Sequence, residues 1–388
     1  MPETAAQRPL HNPELGPAPA TTPTPRRDER PKWLPSYVPE LDGLRGIAVL
    51  GVVLYHCLPR LAGTWLHTPL LWGWAGVNLF FVLSGFLITS ILIEARDKPH
   101  YFRNFYARRA LRIWPMYVLL LVVCYAVPDW FLGDKLANQV HWQTLLAYAL
   151  FIQNLRHTPL PGTLGPTWSL AIEEQYYVLW APLVWMSQVR FLRGRLRWLL
   201  PVILLAVIVA TPLFRMSHAH FLNPTHTLIH LDGIAMGSLL AVGIYSTTLK
   251  RSTWLWIGAI AAVLGFVATG TIFGGTSFLD SGLALGFVGV VILALAGTGA
   301  RNPAAWLLRH GPLPYYGRIS YGLYMTHILV FVYFGSFDAR LDDSHHIGIA
   351  GNLLIVALRL VASTIVATVL WYGFESQILK LKRYFKTA

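Results

Sequence analysis

The chain of 388 residues is 55% hydrophobic and 13% aromatic but only 13% charged, and several apolar runs reach the roughly 20 residues that cross a bilayer. Such a composition argues against a soluble domain and predicts an all-α, polytopic membrane protein. The net charge of +13 does not point to nucleic acid, because Lys and Arg fall in short clusters between the apolar runs, where the positive-inside rule accounts for them. Cys57 and Cys124 are the two cysteines; both lie within apolar segments and are expected to pack rather than pair or bind metal.

Residues 1 to 40 hold ten of the 25 prolines, with five basic and five acidic residues and no apolar targeting segment. They read as a disordered cytoplasmic tail, with Trp33 and Tyr37 anchoring its end at the interface. A membrane domain is expected over 41 to 376 and a basic cytoplasmic tail over 377 to 388. Hydropathy predicts about ten spans, near 42 to 58, 74 to 93, 113 to 128, 167 to 187, 199 to 213, 227 to 246, 254 to 272, 281 to 299, 319 to 336 and 348 to 373.

One further run, TLLAYALFIQN at 144 to 154, would rise only about 16 Å against a hydrocarbon core of about 30 Å. As a full span it would put RFLRGRLR at 190 to 197 outside. As a short re-entrant or partial helix it leaves every basic loop, and both termini, in the cytoplasm. Re-entrant backbone needs protein or water around it, so an outward-facing cavity is expected near residues 141 to 166.

An ionisable residue within a span is costly and requires a cavity or a partner. Arg45 and His56 are eleven residues apart, three helical turns, so they share a face about 16 Å apart, with Asp42 one turn before. Arg45 lies toward the cytoplasm and His56 in the outer half; snorkelling side chains are the alternative. In YARRALRIWP, Arg109 and Arg112 are neighbours at i, i+3, and Pro115 fits the first turn of the next span. Both guanidiniums then sit at the cytoplasmic mouth, suited to phosphate, while Arg108 points elsewhere as an anchor. Lipid headgroups are the rival ligand.

In GPTWSLAIEEQYYVLW, Glu173 and Glu174 diverge by about 100°, and Glu173 shares a stripe with Ser169 and Tyr177. One carboxylate can orient a base while the other bonds a neighbouring helix. Asp232 is expected in a structural or acceptor-cavity role, Tyr324 and His327 as pocket contacts, and Ser84 with Gly85 in close helix packing. Acceptor selection is expected from two outer loops, one bearing His218, His220 and His226, the other Asp338, Asp342, Asp343, His345 and His346; neither has the pattern of a metal site.

Five segments, LDGLRGIAVLGVVLYH, FFVLSGFLIT, RRALRIWP, WSLAIEEQYY and ISYGLYMTH, follow one another as in the acyltransferase-3 family of integral membrane acyltransferases, which the chain resembles from about 41 to 376. The resemblance implies a multi-pass protein of the bacterial cytoplasmic membrane that moves an acyl group, usually acetyl, from acyl-CoA to a hydroxyl acceptor. Acceptors in the family are envelope glycans, lipopolysaccharide sugars or macrolides. Acyl-CoA would be a substrate, and no permanently bound cofactor is expected. The family's Arg-His pairing falls on Arg45 and His56, its RxxR on Arg109 and Arg112, and its carboxylates on Glu173 and Glu174, with Tyr176 where Phe is commoner.

On the resemblance, Arg109 and Arg112 hold coenzyme A phosphates, and His56 acts as general base or carries the acyl group. Glu173 would fix the His56 tautomer, and Arg45, Ser84 or His327 would supply an oxyanion donor. A proton-coupled transporter would use the same intramembrane groups, but the halves of the chain show no convincing self-similarity. A non-catalytic binder of lipid-linked glycans is a third reading.

Overall fold

The computed structural model describes residues 30 to 126, 142 to 155, 162 to 187, 196 to 218, 221 to 269, 277 to 300, 302 to 344 and 348 to 385. The Pro-rich tail up to residue 29, His220, His345, His346 and the side chains of Asp338, Asp342 and Asp343 lie outside the described set. All regular structure among the described residues is helical. The principal helices are α1 (Pro39–Tyr55), α2 (Gly76–Ala95), α3 (Tyr101–Ala126), α4 (Trp142–Ala149), α5 (Thr167–Met186) and α6 (Leu196–His218), followed by α7 (Leu231–Ser246), α8 (Arg251–Val267), α9 (Leu279–Ala296), α10 (Pro312–Ser344) and α11 (Ile349–Leu370).

Each of the ten apolar segments falls on a helix. The eleventh run forms the 8-residue α4, about 12 Å of helix, and then a 3-10 turn at Gln153–Leu155, so it is a partial helix. Among the described residues, four helical stretches are long and apolar enough to cross a membrane: His67–Ala95, Trp198–His218, Leu279–Ala296 and Ile349–Tyr384. The helices α1, α7 and α8 have only 17, 16 and 17 residues, and α5 carries two glutamates.

Apolar residues cover the outside of the bundle at helical spacing. On α6 these are Val202, Leu205, Val209 and Leu213; on α11 they are Leu354, Leu358, Val361, Ile365 and Val369, all exposed. A protein surface this apolar is stable in hydrocarbon and would aggregate in water, so the chain is a membrane protein.

Pro115 does not open a span. It lies inside the continuous helix α3, and two residues before it the Tyr321 hydroxyl donates to the Ile113 carbonyl at 2.7 Å, tying α3 to α10. Arg109, Arg112 and the following apolar run are therefore one rigid element.

Small residues set the helix spacing, as they must where hydrocarbon offers no hydrophobic drive between helices. A Cβ at Gly85 would lie 2.1 Å from the Ile234 carbonyl oxygen, and one at Gly237 would lie 2.1 Å from that of Val82, which packs α2 tightly on α7. The same device joins α1 to α10: a Cβ at Gly46 would meet the Leu313 carbonyl at 2.2 Å, and one at Gly317 that of Asp42 at 1.8 Å. The two helices run parallel, with Gly46 against the backbone of Gly317. His56 and His327 each follow ten residues later, about 15 Å along, at one level.

The Gly317→Leu substitution is expected to cost about 3 kcal/mol or more through overpacking, read as a lowered Tm in detergent. Gly335→Ala on the same helix, where a Cβ meets nothing within 4 Å, should leave Tm unchanged. An unaltered Tm in Gly317→Leu would contradict this packing.

Candidate active site

The site begins at a basic mouth. A cavity of about 410 Å³ is lined by Arg45 of α1, Arg108, Arg109 and Arg112 of α3, Arg318 of α10 and Lys382 beyond α11. Among the described residues, Asp42 is the only carboxylate in that lining. Six cations around one opening create a strong positive potential, suited to a ligand bearing several negative charges. Arg108, expected to point away as an anchor, is part of this wall and also donates to the Phe385 carbonyl at 3.0 Å. The C-terminal segment packed under the mouth holds it there.

A narrower cavity of about 130 Å³ continues inward and shares Arg45, Ser84, Arg109 and Arg112 with the mouth. Its inner wall is formed by Phe80, Phe81, Ser169, Glu173, Tyr321 and Tyr324. The passage therefore runs from cations to a mixed wall of rings and hydroxyls.

The charges inside the bundle are paired. Arg109 bonds Glu174 through Nε at 2.6 Å and Glu173 through Nη2 at 3.0 Å, and its guanidinium lies 3.9 Å from the Tyr177 ring centre. Both glutamates thus converge on one arginine despite their divergence on α5. Ser84 Oγ donates to Glu173 at 3.0 Å and the Tyr177 hydroxyl does so at 3.4 Å. Glu173 consequently sits among α2, α3 and α5, not beside His56 as expected, since buried guanidinium and carboxylate must neutralise each other.

Arg112 forms an ion pair at 2.9 Å with Glu375, which is 2% exposed. Glu375 lies on a π turn, Trp371–Glu375, that interrupts the helix after α11. Neither forked arginine is an uncommitted phosphate ligand. Asp42 accepts from the Tyr37 hydroxyl at 2.6 Å and lies 3.9 Å from Arg45. That bond to Asp42, with partial burial, pushes the Tyr37 phenol up to about 12, so it stays a donor at neutral pH.

On the far side of Tyr324 are two imidazoles. His56 Nδ1 is 2.9 Å from the Val52 carbonyl and 3.3 Å from His327 Nε2, with ring centres 4.9 Å apart. His327 is fully buried, and its Nδ1 is 2.7 Å from the Tyr324 carbonyl. His56 is exposed at the end of α1, while Cys57 is turned away and buried. Tyr324, whose hydroxyl is 2.8 Å from Ser169 Oγ, links the narrow cavity to the imidazoles. His56 itself lies beyond both cavities, so the single open channel expected from Arg45 to His56 is interrupted at Tyr324.

Two of the expected oxyanion donors are committed elsewhere: Ser84 to Glu173, and His327 Nδ1–H to a carbonyl. Asp232 is a structural residue, fixed by Arg215 at 3.0 Å and Ser281 at 2.5 Å among α6, α7 and α9. His218 Nδ1 is 2.6 Å from Ser217 Oγ, and His226 Nδ1 accepts from the Leu228 amide at 3.3 Å. An apolar hollow of about 500 Å³ lies between α5 and α6, and of the described residues between 141 and 166 Leu155 alone lines it, so it is not the cavity expected around that stretch.

Sequence reasoning missed Glu375, Arg318, Lys382 and Tyr321. Glu375 stands just past the last apolar run beside KLKRYFK, where a carboxylate reads as a solvated helix end. Only its burial against Arg112 reveals it.

The comparisons agree with this architecture. The family described as "Acyltransferase domain" matches residues 38 to 372. The peptidoglycan O-acetyltransferase OatA of Listeria monocytogenes is 30% identical over 318 residues, covering 75% of this chain and 49% of that protein. A putative O-acetyltransferase of Staphylococcus aureus is 26% identical over 335 residues, covering 78% of this chain and 52% of its own length. The putative peptidoglycan O-acetyltransferase YrhL of Bacillus subtilis is 38% identical over 157 residues, 37% of this chain and 23% of its own. The chain spans about half the length of the first two relatives, and no solved structure matches it. With the family match extending over most of its length, the chain belongs to the acyltransferase domain family of membrane proteins.

Proposed function

We propose that this chain moves an acyl group, acetyl above others, from acyl-CoA held at the basic mouth to a hydroxyl of a cell-wall glycan on the His56 side of the membrane. The observation that carries the proposal is the pairing of a six-cation mouth with an exposed imidazole about 16 Å further along the same helix. Coenzyme A bears its phosphates at one end and its thioester at the other, and an extended pantetheine arm can cover that separation. The printed names of the relatives, two of which specify peptidoglycan, support acetyl as the group and a glycan as the acceptor.

The residues divide into three tasks. Arg108, Arg318 and Lys382 attract the phosphates, and Arg45 lies where mouth and narrow cavity meet. Arg109 with Glu173 and Glu174 braces α3 against α5 and keeps the passage in shape. His56, with Nδ1 turned to the Val52 carbonyl, keeps Nε2 for the acceptor hydroxyl and takes its proton as the oxygen attacks the thioester carbonyl. Collapse of the tetrahedral intermediate breaks the C–S bond; the coenzyme A sulfur leaves with that electron pair and takes the proton back from His56 Nε2, which restores the neutral base. Access past Tyr324 requires that side chain to shift when the arm enters.

The ten helices are read as ten spans of the bacterial cytoplasmic membrane with both termini cytoplasmic, which puts the mouth and the basic loops on the acyl-CoA side. The residues after 376 pack against that mouth and belong to it functionally.

Purified wild-type protein supplied with labelled acetyl-CoA and an N-acetylglucosamine oligosaccharide should release coenzyme A and label the sugar. His56→Ala should lose roughly 10²-fold or more in kcat. Substrate flux into proteoliposomes without acylated product would replace the proposal with transport.

In Arg318→Gln/Lys382→Gln, KM for acetyl-CoA should rise roughly tenfold with kcat retained, and salt should inhibit less than in wild type. An unchanged KM would remove these two residues from the donor site.

Topology has its own test: Lys250→Cys in a cysteine-free background should react with an impermeant maleimide only after cells are opened. Labelling of intact cells would reverse the assignment.

A further inference from the structure

We propose that His327 is a positioning residue for His56, accepting the His56 Nδ1–H on its own Nε2 and thereby fixing which nitrogen of His56 faces the acceptor. The inference rests on the reading of His56 as the base and assigns a different part to a residue expected as a pocket contact or oxyanion donor.

The hydrogen-bond partners determine the tautomers. A backbone carbonyl can only accept, so His327 Nδ1, 2.7 Å from the Tyr324 oxygen, carries a proton. In a neutral ring His327 Nε2 then has a free lone pair, and it is aimed at His56 Nδ1 at 3.3 Å. His56 Nδ1 also faces the Val52 oxygen at 2.9 Å, another obligatory acceptor, so it too carries a proton. That proton is shared between the Val52 carbonyl and His327 Nε2, and His56 Nε2 is left as the lone-pair nitrogen. The direction runs without conflict from His56 Nδ1–H to His327 Nε2, and from His327 Nδ1–H to Tyr324.

The arrangement matches in logic an oriented-base system, with an imidazole and a carbonyl in place of a carboxylate. When His56 Nε2 takes the acceptor proton, the positive charge spreads over the ring, and its Nδ1–H strengthens its bond to His327 Nε2. The Nδ1 proton stays on His56 throughout, and only the Nε2 proton moves, from the acceptor hydroxyl to the ring and on to the leaving sulfur. His327 touches neither donor nor acceptor. It is fully buried, its ring packs edge-on against Phe331 at 5.8 Å, and α10 holds it rigidly at the level of His56. A carboxylate in this place would have required burial of a charge; the neutral imidazole provides an acceptor without one.

The test compares full-length wild type, His327→Gln and His327→Phe in nanodiscs, all labelled with 15N-histidine, with His56→Gln used to identify the His56 signals. Wild type and His327→Gln, which keeps an acceptor oxygen, should show His56 in the Nδ1–H form. His327→Phe should show a mixture of tautomers. In turnover with acetyl-CoA and an N-acetylglucosamine oligosaccharide, His327→Phe should lose roughly 10²-fold in kcat with KM for acetyl-CoA unchanged, and His327→Gln should recover most of the loss.

His327→Leu provides a second apolar replacement should the phenylalanine fail to fold. An unchanged His56 tautomer in the apolar variants would overturn the proposal, as would equal kcat losses in His327→Gln and His327→Phe. Activity retained in His56→Gln would instead remove the transfer mechanism through His56, and the tautomer spectra would then decide the His327–His56 bond alone.

Discussion

The structure depends on the close parallel approach of α1 and α10. Gly46 and Gly317 let one backbone lie where a side chain would otherwise stand, and a Cβ on Gly317 would come within 1.8 Å of a carbonyl oxygen. Two helices in such contact cannot slide or rotate independently, because each half-turn would drive larger side chains into the gap. Ten residues further on, about 15 Å along, that restriction brings His56 and His327 to hydrogen-bond distance.

Around this pair the bundle solves a second problem, that of keeping ionised groups in a medium that disfavours them. Arg109 is met by two glutamates, Arg112 by Glu375, and Arg215 by Asp232 with Asp280 nearby. Each pair joins different helices, so removing one partner would strand a buried charge as well as loosen a contact. Pairing also separates the cations by task. Those deepest in the bundle are neutralised and brace it, whereas Arg318, Lys382 and Arg108 stand around the mouth, where a multiply charged donor would arrive. Glu375 reaches Arg112 because a π turn shifts the helix register just past the last apolar run.

Much of the plan was legible in the chain. Apolar length and basic clustering located ten helical segments, and the short run at 144 to 154 was recognised as too brief to span, as α4 confirms. The 3.6-residue period correctly grouped Ser169, Glu173 and Tyr177 along one stripe of α5. The errors have a common origin, since a side chain's partner on another helix is not encoded in its own periodicity. Glu173 and Glu174 diverge on a helical wheel, yet long flexible side chains bring both to Arg109. Pro115 reads as a helix start, yet α3 continues through it.

The sequence by itself determined the helical segments, their membrane character, the family, and the order of Arg45, His56, Arg109, Arg112, Glu173 and Glu174 along the chain. These follow from apolar length, period and local motif, all of which act within a single helix. Tertiary structure alone decided that Glu173 braces Arg109 instead of orienting His56, that Glu375 faces Arg112, that Asp232 is tied to Arg215, and that His327 lies beside His56. Those outcomes depend on which helices approach closely enough to exchange hydrogen bonds, and that distance is set jointly by glycines and charges far apart in the chain.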